Sequence, residues 1–193
     1  NQWRWDKDMK KITSILLVGL MMSTLVACGK TNVPVSEEEI RQEDNYVVYG
    51  DSADSGYWNI RIRDVSEVNE VNEKDGEKFT TDGKFINILL DMKNISKEPV
   101  SYSITDFKLK DISTDKIYVI EDIGYEVAHA LIAEEKFYKD NDEYITIMDD
   151  VNPDKSKIAC ISFEVSKDLK LDNLVLINKN DGSTDEGVQF KLK

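Results

Sequence analysis

One histidine, His129, and two cysteines, Cys28 and Cys160, are the whole supply of the residue types that most often build nucleophile–base pairs and zinc sites. Neither can be assembled unless His129 and Cys160 meet in the fold. Cys160 falls on the Ile158, Cys160, Ser162, Glu164 face of an alternating segment, opposite Ala159, Ile161, Phe163 and Val165, and reads as a half-buried thiol rather than a nucleophile. His129 stands in "AHA", a setting for a surface or partner-packed imidazole. Acids are abundant. Asp140, Asp142, Asp149 and Asp150 flank Tyr144 to Met148, read as a strand, and "DSAD" (Asp51 to Asp54) reads as a loop. Calcium takes about six to eight oxygens, which converging loops of this kind could supply. None of them has the D-x-[DN]-x-[DN]-G spacing of a built calcium loop, so solvated charge is the plainer account, and neither metal nor cofactor is expected. Almost any fold of so acidic a chain brings some carboxylates close, which keeps a glycosidase-type acid pair open as a second chemistry. The sequence has no Gly-rich phosphate cradle and no dinucleotide fingerprint.

Cys28 belongs to a different chemistry. It stands in "SILLVGLMMSTLVACGK", Ser14 to Lys30, just after an apolar stretch, Ile12 to Val26, that is shorter than the roughly 20 residues a spanning helix needs and carries four hydroxyl side chains. Lys10 and Lys11 precede it, giving the basic, apolar and small-residue order of a secretion signal. Leu25-Val26-Ala27-Cys28 resembles the lipobox of bacterial lipoproteins, in which the cysteine thiol is joined to diacylglycerol and the peptide is cut before it. The resemblance implies Cys28 as the lipidation site and first residue of the mature chain, with the membrane as a partner. Residues 1–28 are accordingly a leader with Met9 as its start, since Asn1 to Asp8 add two acids where bases are wanted.

The leader takes four of the 25 bases and two of the 38 acids, so the remainder carries a formal charge of about −15. Such a field repels nucleic acid, whose binders need basic patches, and stands off from anionic lipid. Residues 29–45, "GKTNVPVSEEEIRQEDN", are polar and without apolar period, and read as a flexible acidic tether with a reach of about 20–25 Å. The remaining 46–193 suffice for one domain with its own core.

From Tyr46 onward the period is two. Trp58, Ile60 and Ile62, then Ile86, Ile88, Leu90 and Met92, then Val188, Phe190 and Leu192 alternate with polar residues, as half-buried strands do. Further runs at 107–112, 116–120, 157–165 and 174–178 are bounded by turn residues. Short strands at this spacing predict an all-β sandwich or barrel. Its expected core includes Trp58, Ile60, Ile86, Ile88, Leu90, Phe107, Leu109, Phe163, Val165 and Phe190. Tyr125 to Tyr138 departs from the period; Tyr125, Ala128, Leu131 and Ile132 share a helical face, which predicts a short helix near 125–138 crossing one end of the sandwich.

"KFINILLDMKNISKEPVSYSITDFKLKD", Lys84 to Asp111, "YVI" at Tyr118 and "VNPDKSKIACISFEVSKD", Val151 to Asp168, together resemble the DUF4352 family. The shared pattern is a strand ending in Asn94, a Phe-x-Leu strand at Phe107 and Leu109, and a turn at Pro153 feeding a strand that ends in Phe163 and Val165. The resemblance covers roughly Tyr57 to Lys193. It implies an immunoglobulin-like β-sandwich of the telokin kind, commonly carried behind a lipoprotein signal in Gram-positive bacteria, and it brings no catalytic residues. Asp154 and Ala159 stand where that family usually has Gly.

Together these observations describe a membrane-anchored extracellular lipoprotein that presents a non-catalytic immunoglobulin-like binding module to an unidentified protein or glycan, with a cell-surface hydrolase using a carboxylate pair as the alternative. Tyr57, Tyr102, Tyr125, Phe137, Tyr138 and Tyr144 lie near loops and are the candidate contact residues, because interfaces favour amphipathic rings.

Overall fold

The computed structural model describes residues 46–74, 76–180 and 186–193. The leader, Cys28 and the tether up to residue 45 lie outside the described residues. Eight strands form: β1 (Ser52–Ser55), β2 (Trp58–Asn72), β3 (Lys78–Asn94), β4 (Phe107–Asp111), β5 (Lys116–Tyr118), β6 (Ser156–Val165), β7 (Leu174–Asn178) and β8 (Val188–Lys191). They make two four-stranded sheets, ordered β1-β2-β3-β6 and β5-β4-β7-β8, with every described strand pair antiparallel. The alternating residues of both sheets point at one another, and all ten expected core residues are buried in the single cluster between them. Removing apolar side chains such as these from water is the main favourable term in folding.

Register explains two irregularities. Ile62 pairs with Leu90 and Asp64 with Leu89, so Arg63 is an extra residue, a bulge that keeps Trp58, Ile60 and Ile62 inward while the chain twists. Further along, Val68 pairs with Phe85 and Glu70 with Thr80, so residues 81–84 of β3 leave the β2 ladder, and among them Gly83 stands where a Cβ would sit 2.1 Å from the carbonyl oxygen of Val165. Only glycine fits there, because the neighbouring strand's backbone occupies the space of a side chain.

Three expectations are corrected. Asp51 to Asp54 is not a loop: Ser52–Ser55 pairs with Trp58 to Arg61 across a tight turn, and the Asp54 carboxylate accepts a 2.7 Å bond from the Asn59 amide. Tyr144 to Met148 is not a strand. Tyr144 makes a single parallel bridge to Ile158, after which Asp149 captures the Thr146 N–H (2.7 Å) and hydroxyl (3.0 Å) and curls the chain into a turn. The helix, finally, is α1 (Asp122–Ala133), prolonged by a π-helical turn over Glu134–Tyr138, and it lies on the outer face of the β1-β2-β3-β6 sheet rather than across an end. The reason is that this sheet is apolar on both faces: Val71, Phe85, Leu89 and Cys160 point away from the central core and need a cover. Val127 and Ala130 pack on Phe85 and Val71, and Ala128 and Ile132 on Cys160.

Candidate functional site

Helix α1 begins with Asp122 in its first turn, where a carboxylate favours the positive end of the helix dipole. Its second residue pair brings Gly124 against β6; a Cβ there would lie 2.5 Å from the Ser162 carbonyl oxygen. The missing side chain lets the helix settle directly on the strand backbone. Tyr125 and His129, one turn apart, then stand side by side with ring centroids 6.2 Å apart. Where α1 gives way to the π turn, the Lys139 N–H reaches back to the Glu134 carbonyl (3.2 Å), and the widened turn leaves Phe137 61% exposed.

Residues 143–149 form the opposite wall. The Ile145 N–H donates to the Ile158 carbonyl (2.9 Å) and the Ile158 N–H to that of Glu143 (2.8 Å), tying the segment to the free edge of β6. Lys136 of the π turn forms an ion pair with Asp149 and so joins the two walls. Burial raises the Asp149 carboxyl, but Lys136 and the two Thr146 donors outweigh it and hold the group below the usual carboxylate range.

Between these walls is a cavity of about 260 Å3. Its floor is Cys160 with Ala128 and Ile132, its sides are Tyr102, Ile104, Tyr125 and His129, and its rim is Phe137, Thr146, Ile147 and Met148. Tyr102 stands edge-on to Phe107, with centroids 6.2 Å apart and planes at 74°, and is 4% exposed. Burial, reinforced by the neighbouring Cys160, Asp149 and Tyr125, pushes its hydroxyl far above its ordinary value. Cys160 is more deeply placed than its alternation suggests: buried fully rather than by half, because α1 lies over it. Burial pushes its thiol up to about 12, so it remains a neutral thiol near neutral pH and lacks the thiolate character of a nucleophile.

The fold thus brings together His129, Cys160, Tyr102, Tyr125 and Phe137, five residues distinguished in the sequence for separate reasons. Tyr144 packs beside the same floor, and Tyr138 lies outside it beneath the Lys74 ammonium, 4.2 Å from its ring centroid. Tyr57, 42% exposed, borders a separate, open depression that shares Tyr102. Of the weak metal candidates, Asp149 is bound to Lys136, while Asp140, Asp142 and Asp150 are exposed; among the described residues no three His, Cys, Asp or Glu side chains cluster as metal ligands would. Met148 and Ile104 also line the cavity and carry none of the contact-residue patterns described above. The signal for Met148 is an apolar residue set against two acids in "IMDD", on a turn that leaves it 84% exposed.

A second depression, broad and open, lies where β3 meets the end of β6 and contains two carboxylates, Asp82 and Glu164. Glu164 accepts a hydrogen bond from the Thr81 hydroxyl. Asp82 is exposed, so the pair lacks the water-excluding enclosure that general acid–base chemistry draws on.

The family model described as "Domain of unknown function (DUF4352)" matches residues 47–186. No curated protein matches the chain. Among solved structures, the yjhA protein from Bacillus subtilis is similar at 16% identity and a TM-score of 0.50, over 76% of this chain and 99% of that one. A conserved hypothetical protein from Bacillus anthracis is similar at 19% identity and a TM-score of 0.52, over 74% of this chain and 94% of that one. An uncharacterized beta-sandwich protein from Clostridium difficile 630 gives 17% identity and a TM-score of 0.46, over 78% and 95%. With its two antiparallel sheets, its Asn94, Phe107, Pro153 and Phe163 landmarks and a match that spans nearly all of the described domain, this chain belongs to the DUF4352 family.

Proposed function

We propose that the chain is a lipid-anchored, extracellular binding module: Cys28 carries the lipid, residues 29–45 are the spacer, and the β-sandwich engages a partner through the cavity between α1 and the 143–149 segment. The observation that carries the binding reading is the composition of that cavity. It is a preformed, largely apolar hollow with a few polar tips, Tyr102, Tyr125 and His129, converging on it, as ligand sites are. Its rim bears two of the most exposed large apolar side chains of the domain, Phe137 and Met148. Apolar surface left in water at the mouth of an apolar hollow marks a place where something binds.

The anchoring reading rests on the sequence around Cys28 and on the acidic charge of everything after it. A single acyl chain holds a protein to a membrane only marginally, whereas diacylglycerol holds it stably. Wild-type protein should therefore enter the detergent phase on phase separation and Cys28→Ser should not; wild type in the aqueous phase defeats the anchor.

For the binding reading, the immobilised full chain is exposed to solubilised cell-surface material beside the Phe137→Ser, Met148→Ser double variant. Specific retention by wild type that the double variant loses supports a module that binds through the cavity. Retention that survives in the double variant moves the interface elsewhere. If nothing is retained and the protein instead hydrolyses glycans, with activity lost in Asp82→Asn, the module is a hydrolase.

A further inference from the structure

Resting on the binding reading above, we infer that the cavity receives one polar-tipped aromatic side chain, tyrosine or tryptophan, carried on a basic segment of a partner protein. Four observations lead there. The first is size. About 260 Å3 lies below the roughly 300–1,000 Å3 of hollows that enclose a whole drug-sized ligand, and suits a single ring-sized group.

The second is a polar group left without a partner. Tyr102 is 4% exposed, and its hydroxyl makes no hydrogen bond to the described residues. Among those residues no sealed side-chain nitrogen or oxygen lacks a partner, so this hydroxyl must reach open space, and its ring borders the cavity. A buried hydroxyl that loses water without gaining a partner is costly. A guest with a phenol or indole tip supplies the partner, where a plain hydrocarbon does not.

The third is the rim. Phe137 (61% exposed) and Met148 (84%) extend the apolar surface beyond the hollow. A free molecule small enough for the cavity would touch their inner edges and leave most of both in water. A side chain delivered by a polypeptide brings backbone and neighbouring residues to cover them, the arrangement of a buried anchor within a surrounding contact ring.

The fourth is charge. From Glu121 to Val151 the sequence has ten acids against two lysines, and both lysines are already engaged, Lys136 with Asp149 and Lys139 with Glu135. Much of the cavity wall is therefore built from a strongly acidic stretch of the domain. Lysine or arginine flanking the inserted ring meets this field, which speeds encounter and rejects acidic partners.

The test uses the full chain and three capped tripeptides, acetyl-Lys-Trp-Lys-amide, acetyl-Lys-Ala-Lys-amide and acetyl-Glu-Trp-Glu-amide, in isothermal titration calorimetry. The first should bind at least about tenfold tighter than either other. Its Kd should rise several-fold between about 0.05 and 0.5 M salt, because the charged part of the interaction is exposed. Phe137→Ser with Met148→Ser should weaken it about tenfold or more, and Tyr102→Phe about two- to tenfold, with melting temperatures of the rim variants unchanged. Equal binding of the alanine peptide makes the contact charge alone, equal binding of the glutamate peptide makes it ring alone, and absence of all binding removes the guest; each overturns the inference. If the peptides fail while the rim variant still abolishes retention of cell-surface material, the occupant is wrong and the binding module stands. If the rim variant leaves retention intact as well, both fall.

Discussion

The Ser55 hydroxyl donates a 2.7 Å hydrogen bond to the Asn178 side-chain carbonyl, and both residues are buried. Ser55 ends β1 in one sheet and Asn178 ends β7 in the other, so this contact links the two layers with polar atoms at the border of their apolar core. The Asn180 amide supports it, donating to the same Asn178 oxygen (2.8 Å) and to the Ser55 carbonyl (3.0 Å). Asn178→Ala leaves the buried Ser55 hydroxyl only the long 3.4 Å contact to the residue 178 backbone carbonyl and should cost about 1–3 kcal/mol in urea unfolding. Ser55→Ala with Asn178→Ala should cost less than the sum of the two single changes by about 1 kcal/mol; strict additivity would mean that the bond contributes nothing.

Asp154 has φ +61°, in the left-handed region where a Cβ is disfavoured. Its N–H donates 2.9 Å to the carbonyl of Asn94, whose own side chain is fully buried and holds the carbonyls of Glu98 and Val151. The conformation is thus imposed by a hydrogen-bonded turn, which accounts for the glycine that the family pattern usually has there. Its ion pair with Lys93, 3.7 Å long between exposed groups, contributes little. Asp154→Gly should be neutral or stabilising by up to about 1 kcal/mol, and Asp154→Val destabilising by about 1–2 kcal/mol, as read from melting curves.

Gly124→Ala forces a methyl group against the Ser162 carbonyl and should lift α1 from β6, at a cost of about 1–3 kcal/mol. The sharper readout is chemical. In a Cys28→Ser background, Cys160 should resist a thiol reagent in the native protein and become reactive on Gly124→Ala, well before global unfolding. Equal protection in both proteins would show that the glycine is not what seats the helix.

Stability should fall as the solution is made alkaline. Burial raises Cys160 from 9.0 to about 12, and Tyr102 upward from 10.0. Both groups bind their protons more tightly folded than unfolded, so their contribution is complete below pH 9 and is lost above it. The slope from Cys160 approaches about 1.4 kcal/mol per pH unit between 9 and 12, and steepens past pH 10 as Tyr102 joins. Cys160→Ala should flatten the urea midpoint against pH between 9 and 10; an unchanged slope would show that the thiol titrates alike in both states.

The sandwich was legible because the inward face of the long strands is an apolar row at period two: Ile86, Ile88 and Leu90 announce their layer at sight. What escaped was everything that depends on the second face. Phe85 and Cys160 break a simple inward–outward rule, and their meaning emerges only once α1 is seen to roof them. β1 was hidden by its composition, since "SADS" has no strand propensity of its own and pairs because the Gly56 turn folds it back on Trp58 to Arg61. The cavity was half visible. Its residues stood out singly as aromatic, histidine or cysteine, but their convergence is set by the long-range placement of 143–149 on β6, which no local pattern encodes.

Val47 lies beside β8 as a parallel bridge, its N–H donating to Gln189 (2.8 Å) and its carbonyl accepting from Lys191 (2.9 Å). The opening of the domain is thereby buckled to its closing strand. A force applied at Tyr46 meets these two bonds first, and they tie it to β8, the last of the described strands. That fastening therefore exists only once β8 has folded, so a chain cut short before Phe190 would come loose at Val47 as well as losing β8 itself.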